Sequence, residues 1–343
     1  MSATSSQPHA VADTRERALR DLRISVTDRC NFRCRYCMPR EVFGPDFAFA
    51  PRDDLLTFEE IARLVRAVVP LGVTKVRLTG GEPLLRRDLD QLVAMLADVS
   101  GIDDLALTTN GTLLRRNAAA LRAAGLTRVT VSLDALDDAT HRAVSDTDVP
   151  VDVVLDGVAA AAEAGFPAIK VNTVLKRGVN DDQIEPLAAW ARDAGVTVRF
   201  IEYMDVGATN GWRLDEVVPS TEVIGRIGAR WPLEPVPPAV AAEVADRYRY
   251  LDGGGEIGVV SSVTQPFCGS CVRARLSSTG ELFTCLFATR GMDLRGPLRD
   301  GLQGAALGDL VAGRWAARDD RYSELRSDET ADLPKVEMSF IGG

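Results

Sequence analysis

Alternation of apolar and polar residues at every second position begins near residue 22 and recurs through the first 200 residues. Leu22, Ile24 and Val26 alternate with Arg23 and Ser25, which is the period of a β-strand. Five later runs also have strand character, and segments with helical periodicity separate them. A capping-box pattern at residues 57–60 opens the first of these helices. The predicted strands are 22–26, 75–79, 104–109, 128–133, 169–174 and 196–202, and the predicted helices are 57–70, 87–98, 113–124, 151–164 and 182–194.

Strands that alternate with helices in this way predict an α/β fold with a parallel sheet. Eight units would close a full barrel, whereas six predict a partial (β/α)6 barrel of the TIM type. A doubly wound open sheet is the alternative. Polar residues occupy every second position in four of the strands, which favours a barrel with a polar, cationic lumen. These residues are Arg23 and Ser25, Arg77 and Thr79, Thr130 and Ser132, and Lys170 and Asn172.

The alternation of strands and helices stops after residue 205. Gly207, Asn210 and Gly211 indicate a loop, and a proline-rich segment follows from Trp231. Short alternating runs from Arg247 onward predict hairpins. We therefore expect a flexible leader at 1–20, a barrel at 21–235 and a mostly β extension at 236–343.

Composition restricts the class of protein. Of the 343 residues, 46% are hydrophobic and 26% are charged, as in an ordinary soluble globular protein. The net charge of −9 argues against nucleic-acid binding, which needs clustered surplus base. No apolar run reaches transmembrane length, and the start of the chain lacks the apolar core of a secretory signal. We expect a cytoplasmic protein that binds neither membrane nor nucleic acid.

All six cysteines fall into two triplets, Cys30, Cys34 and Cys37, and Cys268, Cys271 and Cys285. The first triplet has C-x3-C-x2-C spacing, which can hold an iron-sulfur cube by three thiolates and leave one iron open. A zinc knuckle is the alternative, but it normally needs a fourth local Cys or His. The only histidines are His9 and His141, so the cluster interpretation is favoured.

The GGEP turn at residues 80–83 follows the second predicted strand. On a partial barrel it lies at the same end as the cysteine loop, where ligand sites gather. Its glycines allow the main chain to approach a ligand closely.

Together, CNFRCRYC and GGEP resemble the radical S-adenosylmethionine superfamily, whose open iron chelates that cofactor. Other segments resemble the GTP 3',8-cyclases of molybdenum cofactor biosynthesis from about residue 21 to the end. These segments are VRLTGGEPLLRRD, TTNG at 108–111, SLDAL at 132–136, FIEYMDVG at 200–207, the C-x2-C-x13-C triplet and terminal Gly342-Gly343. The resemblance implies a second iron-sulfur cluster in the C-terminal extension.

The resemblance also implies a role for individual residues. One [4Fe-4S] cluster would be held by Cys30, Cys34 and Cys37, and the other by Cys268, Cys271 and Cys285. S-adenosylmethionine would contact Tyr36, Gly81, Ser132 and Met204. GTP would contact Arg23, Arg77, Thr108, Lys170, Arg273, Ala274 and Arg275, and its base would bind the second cluster. Arg23, Gly342 and Gly343 would act in catalysis. Val272 stands where the resemblance leads us to expect Asn.

The implied reaction begins with reductive cleavage of S-adenosylmethionine to a 5'-deoxyadenosyl radical. That radical removes hydrogen from the ribose C3' of GTP, and the substrate radical attacks C8 of guanine. Implied partners are an electron donor such as flavodoxin or ferredoxin, and cyclic pyranopterin monophosphate synthase, the next enzyme of the pathway. The chain would be a monomer or a homodimer.

Two other functions are compatible with two cysteine triplets. One is a different twin-cluster radical enzyme that modifies a peptide or another small molecule; such enzymes usually carry more than three cysteines near the C-terminus. The other is a non-catalytic iron-sulfur redox protein, which would have little use for GGEP or for a cationic lumen.

Overall fold

The computed structural model describes residues 10–240, 242–326 and 334–342. Its twelve strands are β1 Asp21–Ser25, β2 Lys75–Thr79, β3 Asp104–Thr109, β4 Arg128–Ser132, β5 Ile169–Leu175, β6 Thr197–Glu202, β7 Leu233–Val236, β8 Asp246–Tyr250, β9 Glu256–Val260, β10 Arg273–Leu276, β11 Glu281–Phe283 and β12 Met292–Asp293. Its α-helices are α1 Phe58–Val68, α2 Leu89–Ala97, α3 Leu114–Ala123, α4 Asp138–Ser145, α5 Val151–Glu163, α6 Ile184–Asp193, α7 Ser220–Arg230, α8 Arg295–Arg299, α9 Gly304–Ala316 and α10 Met338–Ile341.

The first six strands lie side by side in chain order, and each pairs in parallel with the next. A doubly wound sheet would reverse its strand order at a switch point. This sheet has no such reversal within β1–β6, so the partial-barrel prediction is confirmed and the doubly wound alternative is wrong.

Local sequence explains how the barrel elements form. The capping box predicted at the start of α1 is present, because Thr57 Oγ1 accepts from the Glu60 amide at 3.1 Å and Glu60 Oε2 accepts from the Thr57 amide at 2.7 Å. Apolar strand residues pack against the helices, and Ile24, Val76 and Val129 are fully buried. The alternate positions of the same strands therefore face the lumen.

Five of the described α-helices, α4 and α7–α10, were not predicted from the sequence. Helix α4 has only eight residues, and its N-cap is Asp137, whose side chain accepts from the Thr140 amide at 2.8 Å. Helix α7 follows the loop after β6, where the sequence indicated only irregular structure. The eight residues of α4 give little periodicity, whereas α7–α10 lie in the part of the chain where the sequence predicted only loops and hairpins.

The C-terminal extension continues the barrel sheet on both edges. Strand β10 pairs in parallel with β1, and β9 pairs in parallel with β6. Antiparallel strands follow on each side, with β11 and β12 beyond β10 and β8 and β7 beyond β9. The expected boundary between residues 235 and 236 therefore falls inside β7. Helix α9 packs against α1, so the extension also covers the outer helical layer.

The expected flexible leader does not hold for residues 10–20. Asp13 and Arg17 are buried and form an ion pair at 2.6 Å, and Leu19 belongs to the core. The Trp315 indole in α9 donates to the Arg17 carbonyl at 2.9 Å. This segment is thus fixed against the C-terminal extension, while residues 1–9 lie outside the described residues.

Among the described residues, no helix combines the length and the apolar character needed to cross a membrane.

Candidate active site

The first cysteine triplet lies in the loop directly after β1, at the carboxyl end of the parallel strands. The Cys37 amide donates to the Cys34 carbonyl at 2.9 Å, which closes a tight turn. The Cys30 sulfur accepts from the Phe32 amide at 3.4 Å and from Asn110 Nδ2 at 3.9 Å. Burial raises the pKa of the Cys34 thiol, and the nearby Cys30 and Cys37 raise it further. The three thiols therefore lie close enough to act on one another electrostatically.

The GGEP turn after β2 contacts this loop directly. The Gly81 amide donates to the Thr27 carbonyl at 2.8 Å, and the Glu82 amide donates to the Arg29 carbonyl at 2.8 Å. A Cβ at position 81 would lie 2.2 Å from the Arg29 oxygen, so only glycine fits there. The two motifs that were far apart in sequence thus form one surface.

Buried carboxyl groups brace the strand ends around this surface. Glu82 accepts from Thr109 Oγ1 and from the Asn110 amide, both at 2.7 Å, and burial raises its pKa to about 7. The Tyr36 hydroxyl donates to Asp134 Oδ2 at 2.7 Å, and burial raises the pKa of Asp134 to about 6. Sequence analysis did not identify either carboxyl group as part of the site.

The remaining residues expected to contact the cofactor lie at the ends of other strands. Ser132 is the last residue of β4, two positions before Asp134. Met204 follows β6 in a loop, where its carbonyl accepts from Asn210 Nδ2 at 2.9 Å. Both residues are half-buried, and both lie at the carboxyl end of the sheet.

The expected substrate contacts line the lumen. Arg23 is in register with Arg77 on one side and with Arg275 on the other. The Arg77 Nη1 atom donates to Thr108 Oγ1 at 2.8 Å and to Thr130 Oγ1 at 3.2 Å. Thr130 is in register with Lys170 on β5. The pairing of six strands, β10 and β1–β5, thus brings the predicted cations and Thr108 onto one continuous face.

These cations are crowded and only partly compensated. Burial, together with neighbouring arginines, lowers the pKa of Arg23 to about 9 and that of Lys170 to about 7. The buried Nε atoms of Arg23 and Arg77 have no hydrogen-bond partner among the described residues. Buried cationic donors without partners are costly unless an anion binds them, so the lumen is suited to a polyanionic ligand.

Sequence analysis missed two further cations on this face. Arg199 in β6 is in register with Asn172, and burial lowers its pKa to about 10. Arg128 begins β4 and forms an ion pair with Asp104. Both follow the same alternation as the residues that were identified, so the signal was present in the predicted strands.

Ala274 differs from its neighbours Arg273 and Arg275. It is in register with Leu22, is 1% exposed and packs in the hydrophobic core. Its side chain therefore points away from the lumen, and only its main chain is left for any ligand contact.

The second triplet surrounds β10 and β11 at the edge of the barrel. The Cys271 amide donates to the Cys268 carbonyl at 3.2 Å, and the Cys285 sulfur accepts from the Phe287 amide at 3.5 Å. Burial acts to raise the pKa of the Cys271 thiol, but Arg273 and other nearby groups lower it to about 6. A thiol that ionises readily is suited to metal ligation.

Segments far away in sequence hold this triplet in place. Arg17 Nη1 donates to the Cys268 carbonyl at 2.9 Å, and Arg318 Nη1 donates to the Cys271 carbonyl at 2.8 Å. Asp13 pairs with both arginines. The segment before β1 therefore supports the second triplet, a role that its sequence alone did not indicate.

The donor sets fit iron-sulfur clusters better than a single ion. All six cysteines are free thiols. Within the described ranges, no three Cys, His, Asp or Glu side chains are placed to share one metal ion. A four-iron cube is wider than one ion and takes one thiolate per iron, so its thiolates stand farther apart. Residues 28–40 supply three thiolates and no histidine, a donor set that fits a three-thiolate cube.

The C-terminal tail enters the lumen. Helix α10 ends at Ile341, which is fully buried, and the Gly342 carbonyl accepts a hydrogen bond from Arg275 Nη1. Gly342 has a φ of +75°, and a Cβ there would lie 2.3 Å from Thr79 Cγ2. Gly343 lies outside the described residues.

Comparison with known protein families divides the chain into two matched regions. Residues 24–191 match the Radical SAM superfamily, and residues 196–324 match the family described as Molybdenum Cofactor Synthesis C.

Curated relatives match nearly the whole chain. A GTP 3',8-cyclase of Acidothermus cellulolyticus is 58% identical, over 97% of this chain and 99% of its own length. GTP 3',8-cyclases of Xanthomonas axonopodis pv. citri and Staphylococcus haemolyticus are 53% and 45% identical, over 95% and 97% of this chain and 97% and 99% of their own lengths.

Similarity to a solved structure supports the assignment of the fold and nothing further. Streptococcus suis SuiB bound to S-adenosylmethionine superposes with a TM-score of 0.60 at 16% identity, over 90% of this chain and 68% of that chain.

Proposed function

This chain belongs to the GTP 3',8-cyclase family of radical S-adenosylmethionine enzymes, and we propose that it cyclises GTP to (8S)-3',8-cyclo-7,8-dihydroguanosine 5'-triphosphate, the first step of molybdenum cofactor biosynthesis. The observation that carries this proposal is the row of buried, partly unsatisfied cations between two thiol triplets. A triphosphate supplies the anionic oxygens that such a row needs.

The lumen cations would hold the triphosphate. Arg23, Arg77 and Lys170 would bind its oxygens from three strands, while Arg273 and Arg275 approach from the extension. Thr108 orients Arg77 through their hydrogen bond, and the Ala274 contribution is limited to its main chain. Fixing the substrate at several points restricts which ribose hydrogen faces the cofactor, which is the positioning that a selective abstraction requires.

The first triplet and the strand ends would bind the cofactors. Cys30, Cys34 and Cys37 would ligate one [4Fe-4S] cluster. When bound, that cluster and S-adenosylmethionine supply the 5'-deoxyadenosyl radical that abstracts hydrogen from the substrate. The residues that would contact S-adenosylmethionine are Tyr36, Gly81, Ser132 and Met204. Glu82 and Asp134 would keep this surface rigid through their buried hydrogen bonds.

The second triplet would ligate the other [4Fe-4S] cluster through Cys268, Cys271 and Cys285, and its open iron would bind the guanine base. Cys271 and Arg273 both act electrostatically on Arg23, so this triplet borders the cationic face. A base held at this edge and a triphosphate held along the strands would fix both ends of the substrate.

Arg23, Gly342 and Gly343 would act in turnover. The Gly342 carbonyl binds Arg275, which is the register neighbour of Arg23. The tail thus lies beside the cations that would hold the substrate, and it would exclude water from the lumen during the reaction.

An electron donor would approach the first cluster from outside the cysteine loop. Residues 29–40 contain four arginines and no acidic residue, although the whole chain has a net charge of −9. Arg29 and Arg35 are exposed. Arg33 and Arg40 line a cleft of about 460 Å³ beside the first cysteine, but Asp146 and Asp148 also line it, and Arg40 pairs with Asp146. The exposed Arg29 and Arg35 therefore suit an acidic one-electron carrier such as flavodoxin or ferredoxin.

We further propose a cytoplasmic enzyme, monomeric or homodimeric, that passes its product to cyclic pyranopterin monophosphate synthase. The barrel at 21–235 and the cluster-binding extension at 236–343 would act as one unit, because a single sheet runs through both.

The decisive experiment uses protein reconstituted anaerobically with iron and sulfide. With dithionite, S-adenosylmethionine and GTP, we expect 5'-deoxyadenosine and, after derivatisation, a fluorescent pterin. A Cys30→Ser variant serves as the control and should form neither product. Absence of 5'-deoxyadenosine from the wild type would refute the radical mechanism, and cofactor cleavage that does not depend on GTP would refute the substrate.

A further inference from the structure

The loop at residues 203–210, here called the receptor loop, contacts the end of the chain through a buried carboxylate. The described residues 322–326 and 334–342 are here called the C-terminal segment. Asp205 is 1% exposed. Its Oδ2 accepts from the Tyr322 hydroxyl at 2.5 Å and from Lys335 Nζ at 3.1 Å, and its Oδ1 accepts from Arg326 Nε at 2.8 Å. Lys335 Nζ also donates to the Asp205 carbonyl at 2.9 Å. One side chain therefore holds three points of the C-terminal segment.

In a second contact, the receptor loop donates the hydrogen bonds and the C-terminal segment accepts them. The side chain of Glu337 accepts from the Ala208 amide at 3.0 Å and from Thr209 Oγ1 at 3.1 Å. Gly207 leaves room for this carboxylate, because a Cβ there would lie 2.2 Å from Glu337 Oε2. The receptor loop thus holds the C-terminal segment through two carboxylates, one on each partner.

These contacts come directly before the tail enters the lumen. Helix α10 begins at Met338, one residue after Glu337, and ends one residue before Gly342. Because a four-residue helix is short and stiff, the position of Glu337 determines where Gly342 can lie. The receptor loop therefore sets the starting point of the tail.

The receptor loop itself is held in shape by its own hydrogen bonds. The Tyr203 hydroxyl donates to the Asn210 carbonyl at 2.7 Å, and Asn210 Nδ2 donates to the Met204 carbonyl at 2.9 Å. The loop contains Met204, the proposed cofactor contact, directly beside Asp205. A shift of the loop would therefore move the cofactor contact and the tail anchor together.

We propose that Asp205 and Glu337 are positioning residues that lock the C-terminal segment onto the receptor loop and so place Gly342 in the lumen. This inference rests on the proposed role of the tail in turnover. Neither residue is among the proposed substrate contacts, and we expect both to act through the tail.

A double-mutant cycle tests the proposal. The substitution Asp205→Asn is made in the full chain and in a chain that ends at Ile341. In the full chain we expect kcat to fall between about tenfold and about a hundredfold, since small misplacements of a catalytic group have effects of that size. In the shortened chain the same substitution should add little, because the tail that it positions is already gone.

Hydrogen exchange supplies a readout that does not depend on activity. In Asp205→Asn the amides of residues 335–342 should exchange faster, while those of β1–β6 keep their protection. Glu337→Gln removes a charge without touching Asp205, and it should reproduce the effect if the first variant folds poorly. The control is Asp13→Asn, which removes a carboxylate buried between Arg17 and Arg318 but does not contact the tail. It should lower kcat by the same factor in the full chain and in the chain that ends at Ile341, because its effect is independent of the tail.

The experiments distinguish failure of the proposed role of the tail from failure of the positioning inference. If removing the tail leaves turnover unchanged, the proposed role of the tail fails. If removing the tail lowers turnover but Asp205→Asn lowers it by the same factor in both chains, the positioning inference alone is overturned. Unchanged protection of residues 335–342 in both carboxylate variants would also overturn it.

Discussion

Replacing Gly342 with alanine tests whether the tail must lie against the barrel wall. Gly342 has a φ of +75° and a ψ of 126°, a combination that residues with a side chain rarely adopt. Its carbonyl binds Arg275, and its Cα approaches Thr79 so closely that a methyl group would lie 2.3 Å from Thr79 Cγ2. Alanine therefore meets both a conformational penalty and a steric one.

The free-energy cost of holding alanine in this backbone conformation sets the smallest expected shift in the docking equilibrium of the tail. A residue held in a sparsely populated backbone region costs about 1–3 kcal/mol. At about 1.36 kcal/mol per tenfold change, this shifts the balance away from the docked tail by about fivefold to about 160-fold. The overlap with Thr79 adds to that shift, because the wall must move to accept the methyl group. We expect turnover to fall in proportion to the docked fraction.

The assay is anaerobic turnover of reconstituted protein, normalised to iron content. Gly253→Ala is the matched control, because Gly253 also has a positive φ, of +83°, but has no atom within 4 Å of the added methyl. A second-site Thr79→Ser change removes the overlapping methyl group, so it should restore part of the loss, measured against Thr79→Ser alone. Full activity of Gly342→Ala would refute the reasoning, as would equal losses in Gly342→Ala and Gly253→Ala.

Three further predictions concern the clusters and the lumen. Cys285→Ser should reduce iron from about eight to about four per chain and weaken GTP binding, while cofactor cleavage remains possible; unchanged GTP affinity would exclude the second cluster from substrate binding. Because Lys170 loses its proton as pH rises through about 7, the KM for GTP should increase from pH 6.5 to 8.5. The increase should be smaller in Lys170→Arg, and identical profiles would contradict this assignment. Gly81→Ala would place a methyl group 2.2 Å from the Arg29 carbonyl, so the first cluster should be lost from the absorption and paramagnetic resonance spectra. Gly225→Ala, whose added methyl has no atom within 4 Å, should keep it.

Much of the barrel could be predicted because its signals are local. The period of two in β1, β2, β4 and β5 follows from strand geometry, and it assigned the lumen residues to the correct face. The capping box at Thr57 likewise depends on residues only three positions apart. Helix α4 escaped prediction because eight mostly polar residues carry too little periodicity.

The order of the barrel strands depends on longer-range contacts than strand periodicity does, but it could still be predicted from the sequence. Each short strand-helix-strand unit places its second strand beside the first, so the sequence of units predicts the neighbours. The edges of the barrel are different. Strand β10 pairs with β1 across roughly 250 residues of chain, and no local pattern specifies that pairing.

The sequence by itself determined the chemical groups of this protein: two thiol triplets, the GGEP turn and a set of cations on one strand face. Covalent spacing and strand periodicity are sufficient to specify these, because both act over a few residues. The tertiary structure alone decided that Arg275 lies beside Arg23, that Asp13 and Arg318 support the second triplet, and that Asp205 holds the tail. Those contacts join segments that only the packing of the whole chain brings together, so their free energy depends on partners that no local pattern encodes.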